Sequence, residues 1–380
     1  MIFKNFLNIK NNKIIKKDFQ KLLKDQPLIF RTLKPTYRYS YSKEILSKYK
    51  KFSNIRIIGM GGSILGSEAI YDFLKKKINK KFTFVDNLNS NADYFQNKNI
   101  NLNLIISKSG NTLETIVNAN TLIKNNEKNI IITEDGDSYL TNLANKLKAE
   151  IFEHKNYVGG RYSVLSEVGM LPAELMNLNE SKFKQFNNLI KKKFFVNNLI
   201  NNVAATLNLI KDGKYTSIIL NYDEQSESLF KWYQQLVAES LGKKSNGLLP
   251  VISSMPKDNH SLMQLYLDGP KKSFYTFFNV LDNKVIKINN RNILNSDKYL
   301  RNQSVEMVKQ SQMLATERVF TSKKIPFRSF RILKRDEQSL GELFCFFILE
   351  TILLGRALKV NPFDQPSVEL IKKETKKILI

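Results

Sequence analysis

Two loops carry the residue types best suited to binding a charged ligand. Residues 59–63 are rich in glycine and lie between an apolar run at 55–58 and a helical pattern. Residues 107–112 follow another apolar run and bring three hydroxyl groups to the start of a predicted helix. Glycine lets the backbone approach a ligand, and the N-terminus of a helix offers free N–H groups to an anion. An N-cap requires only one hydroxyl, so the surplus favours phosphate binding at the second loop.

The glycine-rich loop admits several interpretations. A dinucleotide fingerprint requires glycine where Ile64 stands, although Asp86 at the end of the next predicted strand would suit a ribose hydroxyl. A nucleotide P-loop requires lysine where Ser67 stands, which excludes that motif. A cradle for a small anion or a sugar phosphate remains open, and so does a tight turn that binds nothing.

Three further residues could take part in chemistry, although each is weak evidence alone. Arg161 follows two glycines, a placement that would bring a cation close to a ligand. Glu239 lies near the end of a predicted helix, where a carboxylate could act as a base but is usually an ordinary surface residue. His260 lies in a polar turn, where a histidine is more often a capping or packing residue than a catalyst.

The elements that must position these residues alternate along the chain. Apolar strands predicted at 55–58, 82–85, 102–106 and 130–132 are separated by helical patterns, which indicates an α/β fold with a parallel sheet covered on both faces. The two loops follow the first and third strands, so we expect both at the carboxyl edge of that sheet, where open α/β folds bind ligands. A second set of elements is predicted as follows: a helix at 203–210, a strand at 217–220, a helix at 228–241, a strand-rich stretch at 274–288, a helix at 304–319, a buried helix at 340–358 and a Lys-rich amphipathic helix beginning near 365.

Composition narrows the possible partners and cofactors. The chain has 380 residues and a formal net charge of +25, but its lysines are spread along the whole length and mixed with asparagine and isoleucine. We therefore expect no nucleic-acid partner, while the positive field should attract phosphorylated metabolites. One cysteine, Cys345 in an apolar run, and two histidines argue against a zinc cluster. No apolar run reaches the roughly 18 residues of a membrane span, so we expect a soluble cytoplasmic protein without a membrane partner.

Six segments, taken together and in order, resemble the signature segments of the glucose-6-phosphate isomerase family: residues 61–63, 107–115, 158–163, 238–243, 259–261 and 363–372. The resemblance implies two sugar-isomerase (SIS) domains, each a flavodoxin-like, three-layer αβα unit with a parallel sheet. It divides the chain into an N-terminal arm at 1–45, a first SIS-like domain with the phosphate loops at 46–175, a second with the catalytic glutamate and histidine at 176–358, and a C-terminal catalytic helix at 359–380.

The resemblance also implies an activity and a site. The expected reaction is the reversible isomerisation of glucose 6-phosphate and fructose 6-phosphate through ring opening and a cis-enediolate. Glu239 matches the base that moves a proton between C2 and C1, Arg161 matches the cation near the enediolate oxygen, and His260 and Lys372 match the residues that open the ring. The implied substrate-binding residues are Gly62, Ser63, Ser107, Lys108, Ser109, Thr112, Gln235 and Gln365. No metal or cofactor is expected.

Members of this family are homodimers in which the histidine that matches His260 enters the partner's active site, so the resemblance predicts a shared site here. Two alternatives remain open. A dual phosphoglucose/phosphomannose isomerase would use the same residues. A SIS-type regulator would keep the phosphate loops but would not require Glu239, His260 or Lys372. An oxidoreductase that binds a dinucleotide ranks behind both because of Ile64.

Overall fold

The computed structural model describes residues 2–4, 6, 12–90, 99–124, 126–281 and 286–380. Within these residues, ten strands form two five-stranded sheets. The strands are β1 (Ile2–Lys4), β2 (Asn54–Gly59), β3 (Lys81–Val85), β4 (Leu102–Ile106), β5 (Lys128–Thr133), β6 (Glu150–Glu153), β7 (Thr216–Asn221), β8 (Leu249–Ser254), β9 (Ser273–Val280) and β10 (Phe327–Ile332).

The two sheets share one strand order. The first runs β3-β2-β4-β5-β6 and is parallel throughout, and the second runs β1-β10-β9-β7-β8. In the first sheet, β3 and β4 lie on either side of β2, and in the second sheet, β8 and β9 lie on either side of β7. This arrangement, in which the second and third parallel strands flank the first, is the flavodoxin-like order. In the second sheet the strand β1 pairs antiparallel with β10, an edge contribution from the N-terminal region that was not predicted. The structure otherwise confirms the predicted α/β class with parallel sheets.

Helices cover the sheets and fill the space between them. In the described part of the chain they are α1 (Asn12–Asp25), α2 (Phe30–Leu33), α3 (Lys43–Ser47), α4 (Leu65–Leu74), α5 (Leu113–Leu122), α6 (Tyr139–Leu147), α7 (Glu167–Leu175), α8 (Phe186–Leu189), α9 (Lys193–Lys211), α10 (Glu227–Leu241), α11 (Met263–Asp268), α12 (Val305–Ser322), α13 (Glu337–Ala357) and α14 (Val368–Leu379). The helix α13 is buried along nearly its whole length and packs against α9 and α10, as its apolar sequence predicts.

Some strands were not predicted correctly from the sequence, for physical reasons. The stretch at 274–288 was expected to be rich in strand, but β9 ends at Val280, and residues 282–285 lie outside the described residues. The strand β10 was missed because it carries two arginines. One of them, Arg328, is nevertheless buried, because it pairs with Glu350 on α13 and donates a 2.8 Å hydrogen bond to Asn202 on α9. A partner so distant in sequence leaves no local signal.

The helices that follow the first parallel strand of each sheet bring the two halves together. The helix α4 follows β2, the helix α10 follows β7, and these two helices pack against each other. The glycine-rich loop that precedes α4 therefore faces α10, on which the predicted base Glu239 lies.

Candidate active site

The two predicted ligand loops lie side by side at the carboxyl edge of the first sheet. The strands β2 and β4 are neighbours, with Gly59 paired to Ile106. The loop after β2 forms a 3₁₀ turn over Gly61–Ser63. The loop after β4 contains Ser107 to Thr112 and leads into α5. These strands flank the point where the strand order reverses, which is where flavodoxin-like sheets place their ligands.

Gly62 allows two backbone segments to touch. A Cβ atom added at Gly62 would lie 2.1 Å from the carbonyl carbon of Gly160, far inside contact distance. The hydroxyl of Ser163 joins the same two segments, because it donates to the carbonyl oxygens of Gly62 at 3.1 Å and Gly160 at 2.7 Å. This close approach places Arg161 beside the glycine-rich loop.

The second loop presents hydroxyls at a helix N-terminus that no side chain caps. Ser107 Oγ and Thr112 Oγ1 lie 2.8 Å apart and share a hydrogen bond. Thr112 is the N-cap residue of α5, but its side chain accepts no hydrogen bond from the first turn. Ser109 is exposed, and its Oγ accepts a bond from the backbone N–H of Asn111. The first-turn N–H groups and these hydroxyls together could hold an anion.

Lys108 is anchored beside this loop. Its Nζ donates a 2.8 Å hydrogen bond to the carbonyl oxygen of Asn156 and lies 3.4 Å from the carboxylate of Glu134. The backbone carbonyl of Lys108 in turn accepts a bond from the N–H of Glu134. The Lys108 side chain therefore joins this loop to the neighbouring segment at residue 156.

Arg161 is the centre of the site. Its side chain is 1% exposed, although it carries a full charge. Nε donates to Ser240 Oγ at 2.8 Å, and Nη2 donates to the carbonyl oxygens of Pro362 at 2.6 Å and Asp364 at 3.0 Å. Nη1 donates to Gln365 Oε1 at 2.8 Å. A guanidinium held by so many acceptors is fixed in one orientation.

Glu239 lies where the buried cation meets solvent. Its Oε2 is 3.5 Å from Nη1 of Arg161 and accepts a bond from Gln235 Nε2 at 3.3 Å. The side chain retains 24% exposure, so a ligand can reach it. Gln235, one turn earlier on α10, packs against Gly61, where an added Cβ would lie 2.7 Å from Gln235 Nε2. The glycine-rich loop after β2 and the helix α10 therefore form one site.

Gln365 reaches this site from the chain segment that precedes α14. Lys243, just beyond the end of α10, pairs with Asp364 at 2.8 Å, and Asn361 donates to the other carboxylate oxygen of Asp364 at 2.8 Å. The hydrogen bond from Lys243 lowers the pKa of the Asp364 carboxyl. These contacts hold the segment in the position that lets Gln365 meet Arg161.

His260 and Lys372, by contrast, take part in none of the contacts described above. Both are exposed, and the hydrogen bonds and ion pairs that join Arg161, Glu239 and Gln365 involve neither of them. The turn that bears His260 is nevertheless well fixed. Asp258 accepts hydrogen bonds from Ser253 Oγ at 2.9 Å, from the N–H of Ser254 at 2.8 Å and from Ser261 Oγ at 2.9 Å.

Two supporting residues were not singled out from the sequence. Ser240 is fully buried and accepts from Arg161, and its hydroxyl lies 2.9 Å from that of Tyr162. Trp232 donates its indole N–H to the carbonyl oxygen of Arg161 at 3.2 Å. Ser240 directly follows Glu239 within residues 238–243, one of the segments that resemble the family. This position was the sequence signal that could have identified Ser240 as a site residue. Trp232 could only be interpreted as part of an apolar helix face.

The arrangement has defined chemical capabilities. A reachable carboxylate can remove a proton from a bound molecule, and a fixed guanidinium next to it can stabilise the oxyanion that forms. The candidate anion site at the start of α5 follows β4, the neighbour of β2 in the first sheet. Among the described residues, no group of three or more His, Cys, Asp or Glu side chains is arranged to hold a metal ion, and no helix is long and apolar enough to cross a membrane.

Comparisons with known proteins point to one family. The family model described as "Phosphoglucose isomerase" matches residues 42–380. A glucose-6-phosphate isomerase of Methanocaldococcus jannaschii is 33% identical over 350 residues, which cover 87% of this chain and 86% of that protein.

Solved structures agree in fold. A hypothetical protein from Thermus thermophilus superposes with a TM-score of 0.86 at 21% identity, over 96% of this chain and 94% of the other. A glucose-6-phosphate isomerase from Chlamydia trachomatis gives a TM-score of 0.67 at 20% identity, over 88% of this chain and 71% of the other.

Proposed function

The chain belongs to the phosphoglucose isomerase family, and on that premise we propose that it interconverts glucose 6-phosphate and fructose 6-phosphate with Glu239 as the base. It is an aldose–ketose isomerase, which would serve in glycolysis and gluconeogenesis. The observation that carries the residue assignment is the 3.5 Å approach of Glu239 Oε2 to a buried Arg161 whose orientation is fixed. We derive the steps below from these residues.

Proton transfer requires a carboxylate that a substrate carbon can approach. Glu239 removes the proton from C2 of the open-chain aldose and returns it to C1, which gives the ketose. Its accessible position on α10 and the hydrogen bond from Gln235 favour a single carboxylate orientation between the two carbons. General base catalysis of this kind contributes about 10²–10⁴-fold to a rate.

The intermediate enediolate carries negative charge on oxygen. Arg161 supplies a positive charge that needs no rearrangement when this charge develops, because Ser240, Pro362, Asp364 and Gln365 already hold its guanidinium. Such preorganised electrostatic stabilisation is usually the largest single contribution to catalysis. Gln365 is a further substrate contact, since its amide meets Arg161 at an exposed position.

The phosphate group binds at the start of α5. Ser107, Ser109 and Thr112 donate hydroxyl hydrogen bonds, the uncapped first turn donates N–H groups, and Lys108 adds positive charge nearby. Gly62 and Ser63 line the same pocket from the adjacent loop. Binding energy from this remote group can then be used at the reacting carbons.

We propose that His260 and Lys372 open the sugar ring. We also propose that the enzyme is a homodimer. The exposure of His260 on a turn fixed by Asp258 supports a role in a partner's site. We also propose that the dimer acts in the cytoplasm and takes no nucleic acid or membrane as a partner. The proposed division is an arm at 1–45, two SIS-like domains at 46–175 and 176–358 and a terminal helix at 359–380. One five-stranded sheet in each half supports it, although the arm adds the antiparallel strand β1 to the second sheet.

An activity assay tests the function directly. The purified chain should convert glucose 6-phosphate to fructose 6-phosphate, measured by a coupled assay, and should leave mannose 6-phosphate unchanged. Turnover of mannose 6-phosphate would instead identify the dual phosphoglucose/phosphomannose isomerase. Binding of phosphosugars without any turnover would identify a SIS-type regulator. The family model and the relative from Methanocaldococcus jannaschii support neither alternative.

A further inference from the structure

The second sheet has a switch point of its own. Its strands β7 and β9 are neighbours and correspond in order to β2 and β4 of the first sheet. In sheets of this order, ligands bind beyond the carboxyl ends of these two strands. The site described above uses the switch point of the first sheet and leaves that of the second without a role.

A cavity lies at this second switch point. It has a volume of about 110 Å³ and is lined by Tyr222, Asp223 and Gln225 after β7, by Asn279 at the end of β9, and by Lys309 and Arg335. A water molecule requires about 10–15 Å³ on this measure, so the space corresponds to roughly seven to eleven waters. It is too large for a single ion or water and well below the 300–1,000 Å³ typical of drug-sized ligands.

Buried polar atoms in the cavity wall have no protein partner. Asn279 is only 5% exposed, and its Oδ1 accepts no hydrogen bond from any described residue. The buried Oε1 of Gln225, on the facing loop, is likewise without a partner among the described residues. Both residues line the cavity. A buried polar atom left unpaired costs about 1–3 kcal/mol, so a bound group that paired with these two amides would be favoured.

The chemistry of the wall argues against phosphate. The loop after β7 contains no glycine and carries Asp223 and Glu224, with Glu227 in the first turn of α10. These carboxylates would repel an anion at the helix start. The cations are moreover engaged, since Arg335 pairs with Asp223 at 2.5 Å and Lys309 pairs with Glu224 at 3.1 Å. The lining has equal numbers of the two charges: Lys76, Lys309 and Arg335 against Asp223, Glu224 and Glu306.

We propose that this cavity binds a neutral polyhydroxylated small molecule, of the sugar or sugar-alcohol class, at a site separate from Glu239. A hydroxyl group both donates and accepts hydrogen bonds, so it can pair with either end of the Asn279 and Gln225 amides. Balanced charge in the wall suits an uncharged ligand. The size of the cavity suits a molecule no larger than a monosaccharide.

Equilibrium dialysis with labelled sorbitol tests the proposal on the full-length protein. Saturating, equilibrated glucose 6-phosphate and fructose 6-phosphate keep the first site filled throughout. We expect saturable binding of about one sorbitol per chain. Asn279→Leu and Gln225→Leu should each weaken it by at least about tenfold, the ratio expected for one lost hydrogen bond, while isomerase activity is unchanged. Gln338→Leu, on an exposed face of α13, is the matched control and should bind as the parent protein does.

Three results would overturn the proposal. No saturable sorbitol binding would overturn the proposal, and would mean that the cavity holds only water. Binding that persists in both variants, or that inorganic phosphate displaces while the first site is filled, would also overturn it. If Asn279→Leu fails to fold, Gln225→Leu, in a half-buried loop position, decides the question alone.

Discussion

Oε2 of Glu239 lies 3.5 Å from Nη1 of Arg161, which places a carboxylate that solvent can reach against a guanidinium that is almost completely buried. The pair joins the two halves of the chain, since Arg161 follows the first sheet and Glu239 lies in the last turn of α10, the helix after β7. Arg161 is fixed by neutral acceptors on its other nitrogens, so its charge is directed towards the single carboxylate and whatever binds beside it.

Replacing the base is the sharpest test of this pair. Glu239→Gln keeps the shape and the contact with Gln235 but removes the basic oxygen, so kcat should fall by at least about 10²–10⁴-fold. Exchange of the C2 hydrogen with solvent deuterium should fall in parallel, while anomerisation of the bound sugar continues. The control is Glu227→Gln on the same helix, which is half exposed and 3.9 Å from Lys231. Retention of more than a tenth of kcat by Glu239→Gln would remove this residue from the mechanism.

The phosphate cradle predicts a binding defect. Thr112→Val preserves shape but removes the hydroxyl that bonds to Ser107 and that we propose binds the phosphate, so KM should rise by about tenfold or more. Glucose without its phosphate should bind far more weakly than glucose 6-phosphate by calorimetry. Thr121→Val is the matched control, since its hydroxyl bonds only within the far end of α5. Equal affinity for the two sugars would refute the cradle.

The contact between the two glycine segments predicts a steric effect. Gly62→Ala places a methyl group 2.1 Å from the backbone of Gly160, so the loop must move and both activity and melting temperature should drop. Gly159→Ala is the control, because its added carbon would meet only a ring atom of Tyr162 at 3.5 Å. Steady-state kinetics and thermal unfolding compare the two variants. Similar behaviour of both would show that the close approach is unimportant.

The proposed shared site predicts complementation between inactive chains. His260→Ala and Glu239→Gln should each be nearly inactive alone, but a mixed dimer draws one intact residue from each chain at one of its two sites. Activity should therefore recover after subunit exchange, followed by mass spectrometry of tagged chains. Proven exchange without recovery would mean that His260 acts in its own subunit.

The buried imidazole of His154 should make the stability of the folded protein depend on pH. It lies buried at the end of β6, and burial lowers the pKa of its imidazole from 6.5 to about 4. The unfolded chain therefore takes up a proton as the pH falls from 6.5 towards 4 while the folded protein does not, so stability is lost across this interval. The full effect is about 3 kcal/mol, at about 1.4 kcal/mol for each pH unit between the two pKa values.

Melting temperatures of the parent protein and of His154→Asn between pH 4 and 7 measure this effect. The parent should lose stability more steeply on acidification, because asparagine does not titrate. Parallel curves would show that His154 makes no contribution to the acid response.

The sequence alone determined many of the local elements and which loops are candidates for binding a ligand. Apolar strand runs predicted β2, β3, β4 and β5, and helical periodicity predicted α10 to within one residue, because burial on a parallel sheet demands these patterns. Glycines and clustered hydroxyls marked the loops after β2 and β4, because a loop that binds an anion requires those residue types. Short or charged strands such as β6 and β10 carried too little local signal to be predicted.

Tertiary structure alone decided how these parts meet. No spacing rule could show that Ser240 and the carbonyl oxygen of Pro362 would hold Arg161, or that Gln235 would pack on Gly61. These partners lie from 79 to more than 200 positions apart along the chain. The second cavity, with its unpaired Asn279 amide, was equally invisible, because a lone asparagine at a strand end has no distinguishing pattern. Local sequence determines the backbone preference and the burial of each element. The placement of a charged group such as Arg161 against its hydrogen-bond acceptors depends on contacts that only the folded chain creates.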